Sequence, residues 1–295
     1  MKHPLPWSGL ALAALGAVAF AGKAIIVKLA YRYGVDSVTL LMLRMLFALP
    51  LFVALAWWSG RGQQHFKGRD LLALTGLGFS GYYLASFLDF AGLAYVTASF
   101  ERIVLYLNPT LVLVLGWLLF KRRVSGKQII AMGVSYSGVF LVYGQELGSQ
   151  GEHATLGAVL VFASALSYAT YLVYSGELVQ RLGAMRLTGW ASSIACGFCI
   201  GQFLLLRPVS VVAALPPQVL WLSLLNAVAC TFAPVLMLMM AIERVGAAMA
   251  AQVGMIGPMA TIAMGALLLG EPFTPLMAAG TLLVMGGVWL LAKWR

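Results

Sequence analysis

TASFERIVLYLNPTLVLVLGWLLFKRRVSGKQIIAMGVSYSGVFLV, residues 97–142, decides the fold, because its pattern returns 149 positions later as GAAMAAQVGMIGPMATIAMGALLLGEPFTPLMAAGTLLVMGGVWLL, residues 246–291. In the first copy an apolar helix carries Asn108-Pro109 near its middle and leaves through Val124-Ser125. It leads into a second apolar helix closing on Gly138-Val139-Phe140-Leu141-Val142. The second copy places Gly257-Pro258, Phe273-Thr274 and Gly287-Val288-Trp289-Leu290-Leu291 at the corresponding positions. The same offset pairs Gly34 with Gly183 and Ser125 with Thr274 without a gap. The chain reads as a doubled unit, divided into residues 1–149 and 150–295.

Of the 295 residues, 62% are hydrophobic and 9% charged. So few charges cannot cover a water-soluble globule, and the apolar side chains are expected to face membrane lipid. The formal charge of +10 does not point to nucleic acid, because the basic residues fall in alternate loops rather than on one face. Cys196-Gly197-Phe198-Cys199 and Cys230 lie in apolar runs without a neighbouring strand pattern, so small-residue packing is expected, not redox or metal chemistry. His3, His65 and His153 fall outside the expected spans, which gives no intramembrane metal site. No cofactor is expected. The apolar run from Trp7 continues to about Leu29 without a convincing cleavage site and is expected to be a retained first span.

Windows of about 20 apolar residues, enough to cross about 30 Å, recur ten times. They are 7–29, 38–58, 71–94, 97–120 and 127–143, then 156–175, 185–206, 217–241, 247–269 and 274–292. The longest polar connections are 59–70 and 144–155. An even number of spans puts both termini on one side. With cytoplasmic termini, thirteen Lys and Arg residues lie inside and three (Lys28, Arg32 and Arg207) outside. Five spans per repeat is odd, so the halves enter the membrane from opposite sides. The fold expected is an all-α polytopic membrane protein, ten transmembrane helices arranged as two inverted five-helix repeats. Inverted repeats are how many secondary transporters obtain two interconvertible states around a midplane site. Pro109 and Pro258 each remove a backbone donor and are expected to bend their helices.

This pattern resembles the drug/metabolite transporter superfamily in its ten-span form, built from two EamA-type repeats. The resemblance is carried by Thr97-Ala98-Ser99 and Gly246-Ala247-Ala248, by Pro109 and Pro258, and by Leu268-Leu269-Gly270-Glu271 before Pro272 and Thr274. The closing runs at 138–142 and 287–291 add to it. Arg122 stands where Glu271 has its counterpart, a departure that alters the hydrogen bonding of that turn. The chain has no Walker-type loop. The resemblance implies a bacterial inner-membrane secondary transporter, not an enzyme, that exports small metabolites, amino acids or drugs. Among the branches, the YddG-like amino acid exporters are the most similar, which implies amino acids with aromatic or large apolar side chains.

Within the expected spans the ionisable residues are Lys23, Arg44, Asp89, Glu101 and Arg102. All lie in the first repeat, about 6–9 Å below the outer end of their spans. Charges in hydrocarbon must pair or meet water, so five at one depth argue for a shared polar chamber. Arg44 or Lys23 suits a carboxylate, and Asp89 or Glu101 an ammonium. The alternative is a purely internal ion-pair network. On the third span Tyr82, Ser86 and Asp89 share a face, with Tyr83 beside them. On the fourth, Arg102 and Tyr106 are one turn apart, and Glu101 and Asn108 share another face. Tyr168 and Tyr171 continue a stripe with Ser164 on the sixth, and Gln252 is an amide inside the ninth. Buried tyrosines need hydroxyl partners, so these faces are expected to look inward. Gly197 and Gly201 admit close helix approach within the bundle or between protomers of a homodimer; packing within the bundle is the reading adopted.

Overall fold

The computed structural model describes residues 7–61, 66, 68–121, 123–151, 153–245, 250, 253–254 and 256–293. Ten membrane helices run through these residues. They are α1 (Trp7–Tyr31), α2 (Ser37–Gly60), α3 (Gly68–Leu93), α4 (Ala98–Phe120), α5 (Gly126–Gln150), α6 (His153–Leu182) and α7 (Ala184–Leu206). The eighth, α8, runs from Pro217–Ala227 through Val228–Phe232 to Ala233–Val245. The described part of α9 is Gly257–Leu269, and α10 is Pro275–Lys293. Among the described residues, eight helices are long and apolar enough to cross a membrane. The 25-residue α5 spans about 37 Å but is more polar near its ends.

The repeat is written into the backbone. Ser125 accepts a hydrogen bond from Gln128 N (3.3 Å), and Thr274, at the same place in the second repeat, accepts one from Met277 N (3.2 Å). Gly34 and Gly183 both hold positive φ, 75° and 82°. So do Lys121 and Gly270, at 51° and 72°, where α4 and α9 end in a left-handed residue. Both α3 and α8 contain a wide π-helical turn, at Gly78–Leu84 and Val228–Phe232. In α3 the carbonyls this exposes are taken by α6, as Ser167 Oγ donates to Ser80 O (2.8 Å) and Ser164 Oγ to Ala85 O (2.7 Å).

Packing follows the same two-fold relation. α1 lies on α8 as α3 lies on α6, while α2 with α7 and α5 with α10 are pairs that map onto themselves. At the α5–α10 contact a Cβ on Gly138 would stand 2.5 Å from Gly280 O, and one on Gly287 would stand 2.6 Å from Ala131 O. These two contacts interchange under the 149-residue offset, so the helices meet as an antiparallel, two-fold pair. The bundle therefore has a Trp7 end and a Tyr31 end, with α1 running from the first to the second.

Several sequence expectations change. The fifth span continues to Gln150 and the sixth starts at His153, so 144–150 and 153–155 are helix rather than parts of a long connection. The continuation has a physical cause, because Glu146 on that extra turn binds Thr97 and is buried. Gly197 and Gly201 have open space where a Cβ would project, so they do not pack within the bundle. The close approach of α7 is made by Gly189, whose Cβ would stand 2.8 Å from Ala56 N. Cys196, Cys199 and Cys230 are free, buried thiols. Gln252, Arg122, His3 and His65, and the segment Gly246-Ala247-Ala248, lie outside the described residues.

Candidate functional site

Four of the five charges expected at one depth converge. Lys23 from α1 reaches Asp89 of α3 at 2.5 Å and Glu101 of α4 at 3.3 Å, and Arg102 Nε lies 3.8 Å from Glu101. All four are buried, Glu101 completely. Arg102 also donates to Phe20 O at 3.5 Å. The π-helical turn shifts the register of α3 ahead of Ala85 and so sets the face on which Asp89 meets Lys23.

Arg44 stands apart from this quartet. Its guanidinium lies over the Phe90 ring at 5.0 Å, and it is 6% exposed. Neither Nε nor Nη1 has a hydrogen-bond acceptor, and Arg44 forms no ion pair among the described residues. Its electrostatic neighbours are Asp89 and the thiols of Cys196, Cys199 and Cys230. Asp89 has a spare oxygen as well: Oδ2 takes the lysine, while Oδ1 is buried without a donor. Arg44 and Asp89 thus carry buried groups of opposite charge within electrostatic reach of each other, Arg44 through Nε and Nη1 and Asp89 through Oδ1. Each such group carries a desolvation penalty that only a partner can offset.

The expected aromatic faces do meet. Tyr82 and Tyr171 bring their hydroxyls to 3.2 Å with rings edge to face, and Tyr168 stacks on Tyr171 at 5.5 Å. Gly81 provides the space, since a Cβ there would collide with the Tyr171 ring. Tyr83 joins a second group with Phe79 and Phe198 of α7. Ser86 and Tyr106 are half-buried. Tyr106 sits in a break of α4, between Ala98–Leu105 and Asn108–Phe120.

That break shows how the chain accommodates Pro109. A proline at 109 cannot donate to Leu105 O, four residues back. Instead Asn108 Nδ2 donates to Leu105 O at 2.7 Å, so the freed carbonyl is answered by the neighbouring side chain rather than by a partner helix or water. Pro109 opens the new helical segment, as Pro258 does for Gly257–Met264. At the equivalent of Asn108 the second repeat has Gly257, which has no side chain to play this part. We expect Asn108→Ala to cost about 1–3 kcal/mol, the penalty of a buried unsatisfied carbonyl. Adding Pro109→Ala should recover most of it by restoring a backbone donor. Thermal unfolding of the single and double variants in detergent checks this, and strictly additive losses would contradict it.

Composition alone did not identify a second polar assembly at the Tyr31 end. Glu271 accepts from Ala98 N (2.7 Å), Ser99 N (3.1 Å) and Ser99 Oγ (2.6 Å), and so ties the second repeat to the first turn of α4. Gly270 turns the chain left-handed to aim it, and Gly265 leaves room, since a Cβ there would stand 2.7 Å from Glu271 Oε2. Glu146 accepts from Thr97 N (3.2 Å) and from the Thr97 hydroxyl. Lys28 donates to Leu93 O (3.2 Å) and Val96 O (2.9 Å), and Arg32 to Leu269 O (3.2 Å). Two carboxylates at the start of α4 and a lysine at the end of α3 match the partial charges of those helix termini. A cleft of about 450 Å³ lies here, lined by Lys28, Tyr31, Arg32, Thr97 and Glu271 among others. Thr97 ahead of an apolar helix was a legible cap signal, but its carboxylate partner Glu146 lies 49 residues away, and Glu271, which binds Ala98 and Ser99, lies farther still.

The model of the EamA-like transporter family matches residues 7–144 and again 155–293. The uncharacterized transporter YcbK of Bacillus subtilis is 32% identical over 94% of this chain and 89% of its own length. The uncharacterized transporter sll1319 of Synechocystis is 24% identical over 86% of this chain and 79% of its own. A solved crystal structure superposes with a TM-score of 0.63 over 98% of this chain and 97% of that one, at 14% identity, which shows a shared fold. Two matched segments that together cover nearly the whole chain, on ten helices related by an inverted two-fold, leave one assignment: this chain is a multi-pass membrane transporter and belongs to the EamA-like transporter family.

Proposed function

We propose that the transporter exports small zwitterionic metabolites, amino acids with aromatic or large apolar side chains, across the bacterial inner membrane by alternating access. The observation that carries this reading is a buried Arg44 whose Nε and Nη1 have no acceptor, within electrostatic reach of a buried Asp89 whose Oδ1 is not taken by the lysine. Arg44 takes the carboxylate of the substrate and Asp89 its ammonium. Lys23, Glu101 and Arg102 set the charge around Asp89. Tyr82, Tyr83, Tyr168 and Tyr171, with Ser86, Tyr106 and Asn108 nearby, line the path for the side chain. A lipophilic cationic drug, the rival substrate, would use Asp89 and the aromatic rings but leave Arg44 unpaired in hydrocarbon. The basic residues at the Trp7 end, among them Arg61, Lys121, Arg123, Lys127 and Lys293, support cytoplasmic termini.

Proteoliposomes and a panel of labelled solutes test the reading. We expect saturable efflux of phenylalanine or tryptophan, competed by other large amino acids and not by their amides, which lack the carboxylate. Equal transport of the amides would favour cationic drugs, and no saturable flux of any amino acid would refute the proposal. The mechanism makes its own prediction. In a cysteine-free background, spin labels at Tyr33→Cys and Phe273→Cys report the Tyr31 end, and labels at Lys121→Cys and Arg244→Cys report the other. Adding substrate should move the two distances in opposite directions. Parallel movement would contradict alternating access.

A further inference from the structure

We infer that Glu101 is the proton carrier of the cycle, taking one proton inward for each zwitterion that leaves; this rests on the export reading above. Glu101 is completely buried, and neither carboxylate oxygen has a hydrogen-bond partner among the described residues. Its carboxyl lies against that of Asp89 as well as against its cationic neighbours, so a proton on Glu101 has an acceptor in Asp89. The groups that face it are Asp89 of α3, directly and through the shared lysine, Lys23 of α1 at 3.3 Å, and Arg102 of its own helix at 3.8 Å. Arg44 of α2 and Tyr31 of α1 act electrostatically on Asp89, and Glu146 of α5 holds Thr97 one turn nearer the Tyr31 end. Among the described residues α6 and α9 bring no ionisable group to bear on it.

One cation therefore serves two carboxylates, and its position decides which of them is free. While Glu101 is ionised it can draw Lys23 towards itself, releasing Asp89 for the ammonium of the substrate. Once Glu101 is protonated it has no claim on Lys23. The lysine then closes on Asp89, at the 2.5 Å contact, and the ammonium is shut out. Proton and ammonium compete through a single lysine, and such mutual exclusion is the negative coupling that antiport requires. In each cycle an O–H bond forms at Glu101 with a proton from the outer water and breaks to the inner water. The zwitterion moves the other way, so one positive charge enters per turnover. The Glu146 and Glu271 carboxylates do not fit this part, because both are engaged by hydrogen bonds at the start of α4.

The test uses proteoliposomes loaded with L-phenylalanine and the pH dye pyranine, with voltage clamped by potassium and valinomycin. With the native protein the lumen should acidify as phenylalanine leaves. In Glu101→Gln, whatever phenylalanine still moves should do so without proton uptake and at a rate independent of pH. Glu101→Asp should regain the coupling. Phenylalanine efflux from the native protein without acidification overturns the inference and leaves the export reading intact, as does acidification that persists in Glu101→Gln. If no phenylalanine moves at all, the export reading fails, and substrate-free infrared difference spectra decide the proton site. A protonated-carboxyl band that comes and goes between mildly acidic and mildly basic pH, and is missing from Glu101→Gln, supports it. No such band overturns it.

Discussion

Arg44→Gln is expected to weaken apparent affinity for an aromatic amino acid at least about tenfold, while the variant unfolds no more easily than the native protein. The two halves of this expectation have one cause. A guanidinium buried among apolar side chains with two nitrogens unsatisfied is a standing cost to the empty protein, and glutamine removes the charge that incurs it. The same nitrogens give a substrate carboxylate charge-assisted hydrogen bonds worth about 1.5–3 kcal/mol, and each 1.4 kcal/mol is about tenfold in binding. Asp89→Asn should damage transport comparably but for a different reason and with a different stability signature. It strips Lys23 of its 2.5 Å partner and leaves only Glu101 at 3.3 Å, so part of the roughly 3–5 kcal/mol cost of breaking a buried pair should appear as lost stability. Transport assays on inserted, folded variants, with thermal unfolding beside them, separate these outcomes. If both variants transported normally, the charged layer would serve packing alone.

The architecture was legible because lipid imposes it. Each span must close its own backbone hydrogen bonds over about 20 apolar residues, and the offset between Asn108-Pro109 and Gly257-Pro258 shows directly in the sequence. The depth argument for Lys23, Asp89, Glu101 and Arg102 succeeded for a related reason, since buried charges have few alternatives to one another. Partner choice was harder to read. Nothing in the sequence says that Lys23 rather than Arg44 would hold Asp89, because that depends on the helix rotation set by the π-helical turn at Gly78–Leu84. Glu146 was hidden because Gly144-Gln145-Glu146 looks like an exit from the membrane. In fact α5 runs on, its carboxylate answered by Thr97. Gly197-x-x-x-Gly201 misled for the converse reason, as spacing alone does not say whether a small-residue face meets a neighbour.

Gly138→Val and Gly287→Val are expected to be the most destabilising single changes in the second half of each repeat. Gly133→Val and Gly286→Val, five residues and one residue away on the same two helices, should be close to neutral. Membrane helices gain nothing from sequestering apolar surface from lipid, so α5 and α10 are held by contact at short range. The contact is backbone to backbone: a Cβ on Gly138 would stand 2.5 Å from Gly280 O, one on Gly280 2.8 Å from Gly138 O, and one on Gly287 2.6 Å from Ala131 O. A carbonyl oxygen cannot swing aside as a flexible side chain can, so the helices must separate. Overpacking of this kind costs about 1–3 kcal/mol and sometimes more. Gly133 and Gly286 have nothing within 4 Å of an added Cβ. Thermal unfolding of the four variants in detergent compares them directly, and equal losses at all four would deny the contact its role. Because the pair maps onto itself under the two-fold, it need not rearrange when the repeats exchange conformations, unlike α4 and α9 with their broken segments. A covalent cross-link between α5 and α10 should therefore leave transport intact, and its loss on cross-linking would mean that the rocking passes through this pair.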